Sequence, residues 1–179
     1  MILPAAIARF DARADAVLER FRGNPAVDRV MTAATHAGEF STAWHVAGVT
    51  RGALTGRWDQ TIALAAGLGA ESLFVNQGLK RMFRRPRPTP TGDERFAIRT
   101  PLTSSFPSGH ASAAAFAAIT LIRWDGTKTA PLWGTLAATI ALSRPYVRIH
   151  HASDVVGGLI VGATFAAAAR NVYRRFGIS

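Results

Sequence analysis

Apolar residues near the start of the chain, Leu3, Ile7, Phe10, Ala14, Val17, Leu18 and Phe21, recur at three- and four-residue steps, the period of one face of an α-helix. Arg9, Asp11, Arg13, Asp15, Glu19, Arg20 and Arg22 lie between them. The stretch predicts an amphipathic helix, and the same charges interrupt any apolar run that a secretory signal would need. Such a helix packs on a protein core or lies in a membrane interface, and its pattern fits both. After Gly23-Asn24-Pro25 the pattern changes. Five Ala-rich apolar segments, at 30–50, 60–79, 108–122, 131–142 and 155–169, alternate with short basic ones. Several hold roughly 12–15 strictly apolar or small residues, against about 20 for a full membrane span. Buried helices of soluble proteins show similar runs, and Glu39 and Glu71 would be costly against lipid. Number and placement decide between the two. Five such helices with most charges at their ends leave too little polar surface to cover a soluble bundle. No strand-like alternation persists and no solenoid repeat occurs. The expected fold is therefore all-α, an integral membrane bundle of about five transmembrane helices over residues 30–179. An amphipathic, interfacial helix within residues 1–29 precedes it.

Composition narrows the partners. With 179 residues the chain makes one domain, and 49% hydrophobic against 18% charged residues excludes a disordered chain. Lys+Arg of 21 against Asp+Glu of 11 gives +10, so the natural partners are anionic. Nucleic acid fits poorly, because the arginines are spread over helix ends with no stacking platform between them. The absence of Cys removes disulfides, a thiolate nucleophile and thiolate metal sites.

Three clusters carry chemistry. In the first, Lys80-Arg81-Met82-Phe83-Arg84-Arg85-Pro86-Arg87-Pro88, a helix would place Ser72, Asn76 and Lys80 on one face before Pro86 and Pro88 force an extended chain. A lipid-binding basic patch would look alike. The second, Ser104-Ser105-Phe106-Pro107-Ser108-Gly109-His110, opens an apolar helix. Ser108 and Gly109 there aim a hydroxyl and backbone N–H groups at a docking anion, and His110 can give a proton to a leaving oxygen. Read as structure alone, Pro-Ser-Gly is an ordinary turn and cap. The third is Ser143-Arg144-Pro145-Tyr146-Val147-Arg148-Ile149-His150-His151-Ala152-Ser153-Asp154. If a helix begins near His150, Asp154 lies one turn on and can accept the Nδ1 proton. Nε2 is then free to attack, and Arg144 can neutralise charge on a phosphoryl group. Metal ligation by His150, His151 and Asp154 lacks a known spacing. His151 has no assigned role, and His36 and His45 read as polar contacts within the bundle.

Together, Lys-x6-Arg-Pro, Pro-Ser-Gly-His and Ser-Arg-x5-His-x3-Asp resemble the three-part signature of the type 2 phosphatidic acid phosphatase family, the lipid phosphatase and vanadium haloperoxidase superfamily, over roughly residues 36–170. The resemblance implies that His150 is a nucleophile forming a phosphohistidine, oriented by Asp154. His110 would protonate the leaving alcohol and then activate water, while Lys80, Arg87, Ser108, Gly109 and Arg144 hold the phosphoryl oxygens. It also implies no metal and no cofactor. The expected protein is a metal-independent lipid phosphatase in the bacterial inner membrane, whose partners are a lipid phosphate substrate and membrane lipids. A homo-oligomer is compatible with this architecture. The segments from Thr35 to Trp44 and from Lys80 to Arg85 further resemble actinobacterial members acting on decaprenylphosphoryl-5-phosphoribose. Alternative substrates are undecaprenyl pyrophosphate, phosphatidylglycerol phosphate and phosphatidic acid; alternative functions are vanadate-dependent halide oxidation and non-catalytic binding of anionic lipid. In the five-helix scheme 14 of the 21 basic residues, Arg99 among them, share a side with the three clusters, and the positive-inside rule places that side in the cytoplasm.

Overall fold

The structure is a computed structural model that describes residues 4–89, 93–96, 98, 100–101 and 103–178. Leu3 and Arg99 lie outside the described residues. Among those described there is no strand; the chain forms helices α1 (Ala5–Glu19), α2 (Pro25–Gly38), α3 (Thr42–Thr55), α4 (Trp58–Leu73), α5 (Lys80–Met82), α6 (Gly109–Asp125), α7 (Ala130–Tyr146) and α8 (Ala152–Arg175). Their ends follow local chemistry. The Asn24 side chain accepts from the backbone N–H of Ala26 and Val27, and Pro25 fills the first turn of α2, where a missing N–H costs nothing. Gly56, left-handed at φ 73°, closes α3.

The segment expected as one helix over 30–50 is broken. Residues Glu39–Ser41 form a short 3-10 turn in which Phe40 (φ 50°) and Ser41 (φ 58°) are left-handed without being glycine. The segment over 60–79 is longer than expected, because α4 passes through a π-helical turn, Phe74–Leu79, into α5. Such a turn rotates the helix register and is common near functional sites. Helix α7 likewise runs past its expected end at 142, through Pro145 to Tyr146.

The helices pack through small residues. Trp44, Leu64, Leu68, Phe116, Leu121 and Ile140 are buried among alanines of α6 and α7. Helices α6 and α8 touch at their backbones: a Cβ at Gly158 would sit 2.4 Å from the Ser108 carbonyl oxygen, and one at Gly162 2.0 Å from that of Ser112, so only glycine permits the crossing. Glu71 faces inward, 1% exposed, and accepts from the Ser112 hydroxyl. Asp125 closes the far end, where its carboxylate accepts from Arg51 of α3 and Trp133 of α7. Helix α6 thus runs from the Pro-Ser-Gly-His cluster to the opposite end of the bundle. Among the described residues one helix, Ala152–Arg175, is long and apolar enough to cross a membrane by length and composition.

Helix α1 lies against α7 and α8, but not by its apolar stripe. Asp11 and Arg22 are the buried residues of this segment. Arg22 donates to the carbonyls of Tyr146 (2.8 Å) and Pro145 (2.9 Å) and to the carboxylates of Asp15 and Glu19. Of the apolar residues, Leu18 packs on the Phe96, Tyr146 and Ile149 cluster, whereas Ile7, Phe10, Val17 and Phe21 remain exposed. At about 100° per residue, the exposed stripe is centred roughly a quarter-turn from the row Asp11, Asp15, Leu18 and Arg22 that meets the protein.

Candidate active site

The three clusters come together at one end of the bundle, where α6 and α8 begin and α5 and α7 end. Ser108 caps α6, its hydroxyl accepting from the Ala111 N–H, while its own N–H donates to the Asp154 carbonyl at 3.0 Å. Two helix N-termini, each with a partial positive charge, are thereby tied side by side. Lys80 reaches the same place: a Cβ at Gly109 would lie 3.8 Å from its Nζ and 4.0 Å from Asn76 Oδ1. The expected face of Ser72, Asn76 and Lys80 holds across the π-helical turn, with Asn76 donating to Ser72.

His150 does not lie on a helix. Helix α8 begins at Ala152, with His151 as N-cap and Asp154 at the third helical position, each accepting from the other's backbone N–H. The expectation of His150 and Asp154 one turn apart on a helix is therefore corrected: a loop carries His150, held by its N–H to the Arg144 carbonyl. His151, left without a role above, supplies the cap, and its ring faces the Pro86 carbonyl at 3.3 Å. The Asp154 carboxylate is fully buried. Its Oδ2 accepts from Ser105 Oγ at 2.5 Å and the His151 N–H at 2.8 Å, and lies 3.7 Å from His150 Nδ1. Ser105 Oγ is 3.5 Å from the same nitrogen and so stands beside ring and carboxylate together.

On the other edge of the ring, Arg87 Nη1 sits 3.3 Å from His150 Nε2 while donating to the Ile149 carbonyl at 2.7 Å. Arg87 also donates to the carbonyls of Pro101 and Thr103, which fixes its guanidinium plane. A cation facing Nε2 and a carboxylate on the Nδ1 side assign the proton to Nδ1 and the lone pair to Nε2. Burial, joined by the Arg144 and Arg87 charges and opposed by Asp154, pushes His150 down to about 3. The imidazole is neutral at physiological pH.

Arg144 is 2% exposed, and its Nε and Nη1 have no partner among the described residues; the same is true of His110 Nε2. Buried polar atoms are rarely left unpaired. His110 lies within electrostatic reach of Arg144, His150 and Lys80, and the Thr35 carbonyl of α2 faces its ring. Gly38 makes room for it, since a Cβ there would meet His110 Cδ2 at 2.5 Å and Ile140 Cγ2 at 2.9 Å. Thus Lys80, Arg87, Ser108, Gly109, His110, Arg144, His150 and Asp154 are gathered in one region. His36 is a surface residue, 3.6 Å from the half-exposed Glu39, and not a contact inside the bundle. Besides His151, residues with no expected role are linked to Asp154: Ser105 and Arg85 donate to its carboxylate, and Asp11 accepts from Arg85.

Two helix N-termini, three cations and an oriented imidazole make an anion site fit for phosphoryl transfer, and the chain belongs to the PAP2 superfamily, whose profile matches residues 60–178. It is a phosphatase, a hydrolase of phosphoric monoesters. It is 36% identical over 152 residues to the decaprenylphosphoryl-5-phosphoribose phosphatase of Mycolicibacterium smegmatis, covering 83% of this chain and 80% of that protein. To the protein of the same name from Mycobacterium tuberculosis it is 34% identical over 137 residues, 74% of this chain and 73% of the other. In three dimensions it resembles the transmembrane PAP2 type phosphatidylglycerolphosphate phosphatase of Bacillus subtilis, with a TM-score of 0.75 at 23% identity, covering 96% of this chain and 88% of that one.

Proposed function

We propose that the protein is a multi-pass membrane phosphatase that hydrolyses a lipid-linked phosphate, of the polyprenyl-phosphoribose kind, through a phosphohistidine on His150. One observation carries the reading: Arg144 Nε and Nη1 and His110 Nε2 are buried, with no partner among the described residues, beside a neutral His150. A phosphoryl group seated there gives the guanidinium its acceptors and places phosphorus in front of Nε2.

The chemistry follows from the groups in place. Nε2 of His150 attacks phosphorus as the ester P–O bond breaks. His110, protonated once the bound phosphate anion offsets the surrounding cations, delivers that proton to the departing alkoxide. Asp154 stabilises the charge that His150 gains when its second nitrogen is phosphorylated. Lys80, Arg87, Arg144 and the N–H groups at Ser108 and Gly109 hold the three other oxygens, and positioning with charge neutralisation is most of what phosphoryl transfer requires. Water then attacks phosphorus, and the P–N bond to His150 Nε2 breaks. His110, now neutral, takes its proton, phosphate leaves, and both histidines return to their starting states. No step calls for a metal ion.

The substrate assignment rests on the names of the mycobacterial relatives. The membrane assignment is supported by α8 and by large apolar side chains exposed on the outside of the bundle, Val46, Leu54, Ile62, Leu73, Leu132 and Ile160 among them, more than a soluble monomer usually leaves open. The apolar flank of α1 is exposed as well and would rest on the lipid interface. We place the site on the cytoplasmic side, following the charge asymmetry.

The decisive assay follows phosphate release from decaprenylphosphoryl-5-phosphoribose in detergent, in the presence of EDTA. The wild type is expected to turn over, and His150→Gln to lose at least about a thousandfold in kcat. Full activity of His150→Gln, or strict dependence on added divalent metal, would overturn the mechanism.

A further inference from the structure

Between α1 and the 145–152 segment runs a cleft of about 330 Å³ that reaches both Arg85 and His150. Its inner end is closed by a buried chain of charges. Arg85 is 5% exposed and donates from Nη1 to Asp154 Oδ1 at 2.5 Å and from Nη2 to Asp11 Oδ2 at 2.6 Å. Asp11, on α1, also accepts from the Ser153 N–H at 2.8 Å and from the Ser153 hydroxyl at 2.9 Å. Ser153 in turn accepts from Arg85 at 2.7 Å. In these hydrogen bonds Arg85 and Asp11 reach the His150 ring only by way of Asp154.

We infer that Asp11 and Arg85 are positioning residues of the active site: Asp11 holds the Arg85 guanidinium flat against Asp154, and Asp154 so fixed holds His150 in line for attack. The reason is geometric. Asp154 has two oxygens. Oδ2 is committed to Ser105, the His151 N–H and the His150 ring, and Oδ1 is free to swing unless something pins it. Arg85 pins it, and a planar guanidinium placed between two carboxylates is constrained on both forks. Because Asp11 also accepts from the backbone of Ser153, the residue before Asp154, helix α1 fixes the carboxylate through its main chain as well as through Arg85. The N-terminal helix thereby becomes part of the catalytic apparatus without touching substrate.

The charges also predict how the variants combine. Without Arg85, two carboxylates face one another across Ser153, and burial makes their repulsion severe. Without the Asp11 charge, Arg85 and Asp154 remain a neutral pair whose geometry has loosened. The amide oxygen of Asp11→Asn can still accept from the Ser153 N–H, so what that change removes is the hold on Arg85, and it should cost nothing further once Arg85 is gone.

The inference rests on the phosphohistidine reading, and the experiment keeps the two apart. In detergent-solubilised full-length protein, kcat and KM for the lipid substrate and the inhibition constant of inorganic phosphate are measured for Asp11→Asn, Arg85→Met, their double variant and His150→Gln. Asp11→Asn is expected to lower kcat by about ten- to a hundredfold, leaving KM and phosphate inhibition within about twofold, since the cradle of Lys80, Arg87 and Arg144 is untouched. In the Arg85→Met background, Asp11→Asn is expected to cost nothing more. Wild-type kcat in Asp11→Asn, a parallel loss of phosphate affinity, or full additivity in the double variant would overturn the inference. If Arg85→Met does not fold, Arg85→Lys replaces it, and the kcat of Asp11→Asn alone decides. Turnover by His150→Gln would sink the underlying reading instead.

Discussion

A side chain acts here through what it lacks as much as through what it holds. Arg144 and His110 have buried polar atoms without partners among the described residues, which is costly, and in the proposed reaction the phosphoryl group supplies the acceptors. Gly38 matters through absence too. Its missing Cβ leaves the place where the His110 ring lies, so Gly38→Ala must push that ring or Ile140 aside, an overpacking worth about 1–3 kcal/mol. We expect kcat to fall at least about tenfold with a drop in detergent melting temperature; an unchanged kcat would mean that His110 has room to spare. The signature residues were legible one by one, because Pro-Ser-Gly-His is a cap with its own local logic and Ser-Arg-x5-His-x3-Asp is contiguous, running from the last turn of α7 through a loop into the first turn of α8. Ser105, Arg85 and Asp11 were not. Each stands in or beside a stretch already singled out, but its role depends on partners far off in sequence: Asp154 is 49 residues from Ser105, and Arg85 lies 69 from Asp154 and 74 from Asp11.

At the scale of elements, α1 is held in two ways that respond differently to the medium. Its Asp11 contact is buried, whereas Glu19 at its end is solvated and paired with Arg95, Arg22 and Arg148. Hydrogen bonds from Arg95 and Arg22 hold the Glu19 carboxyl down at about 2, below its ordinary 4.5. A depressed carboxylate contributes stability that is complete above its unfolded value and is lost as the pH falls through the folded one. Acidification from about 4.5 toward 2 should therefore loosen the C-terminal half of α1. Hydrogen exchange of residues 15–22, corrected for intrinsic rates, checks this; protection unchanged at pH 2.5 would show that packing of Leu18 alone suffices. The helices themselves were foreseen as apolar segments, with ends that tertiary structure moved. Pro145 does not stop α7, and Phe40 and Ser41 break the first segment although neither is a glycine or a proline. Both outcomes depend on neighbours that no local propensity contains.

For the molecule as a whole, charge and architecture bear on orientation. The loop through residue 94 lies at the active-site end and the turn at Lys128 at the opposite one. Glu94→Cys and Lys128→Cys are both exposed positions in a protein without native cysteine. In intact cells a membrane-impermeant thiol reagent is expected to modify Lys128→Cys and spare Glu94→Cys; the reverse pattern would put catalysis on the outer face. What the sequence determined by itself was whatever depends on near neighbours: helical periodicity, the excess of positive charge, and three short motifs whose spacing specifies their chemistry. The tertiary structure alone decided that α1 turns its charged edge inward, that Phe40 and Ser41 bend a helix, and that Arg85 joins Asp11 to Asp154. Those outcomes arise from burial, which makes a charge seek its partner wherever the chain has brought one, and sequence distance carries no record of that.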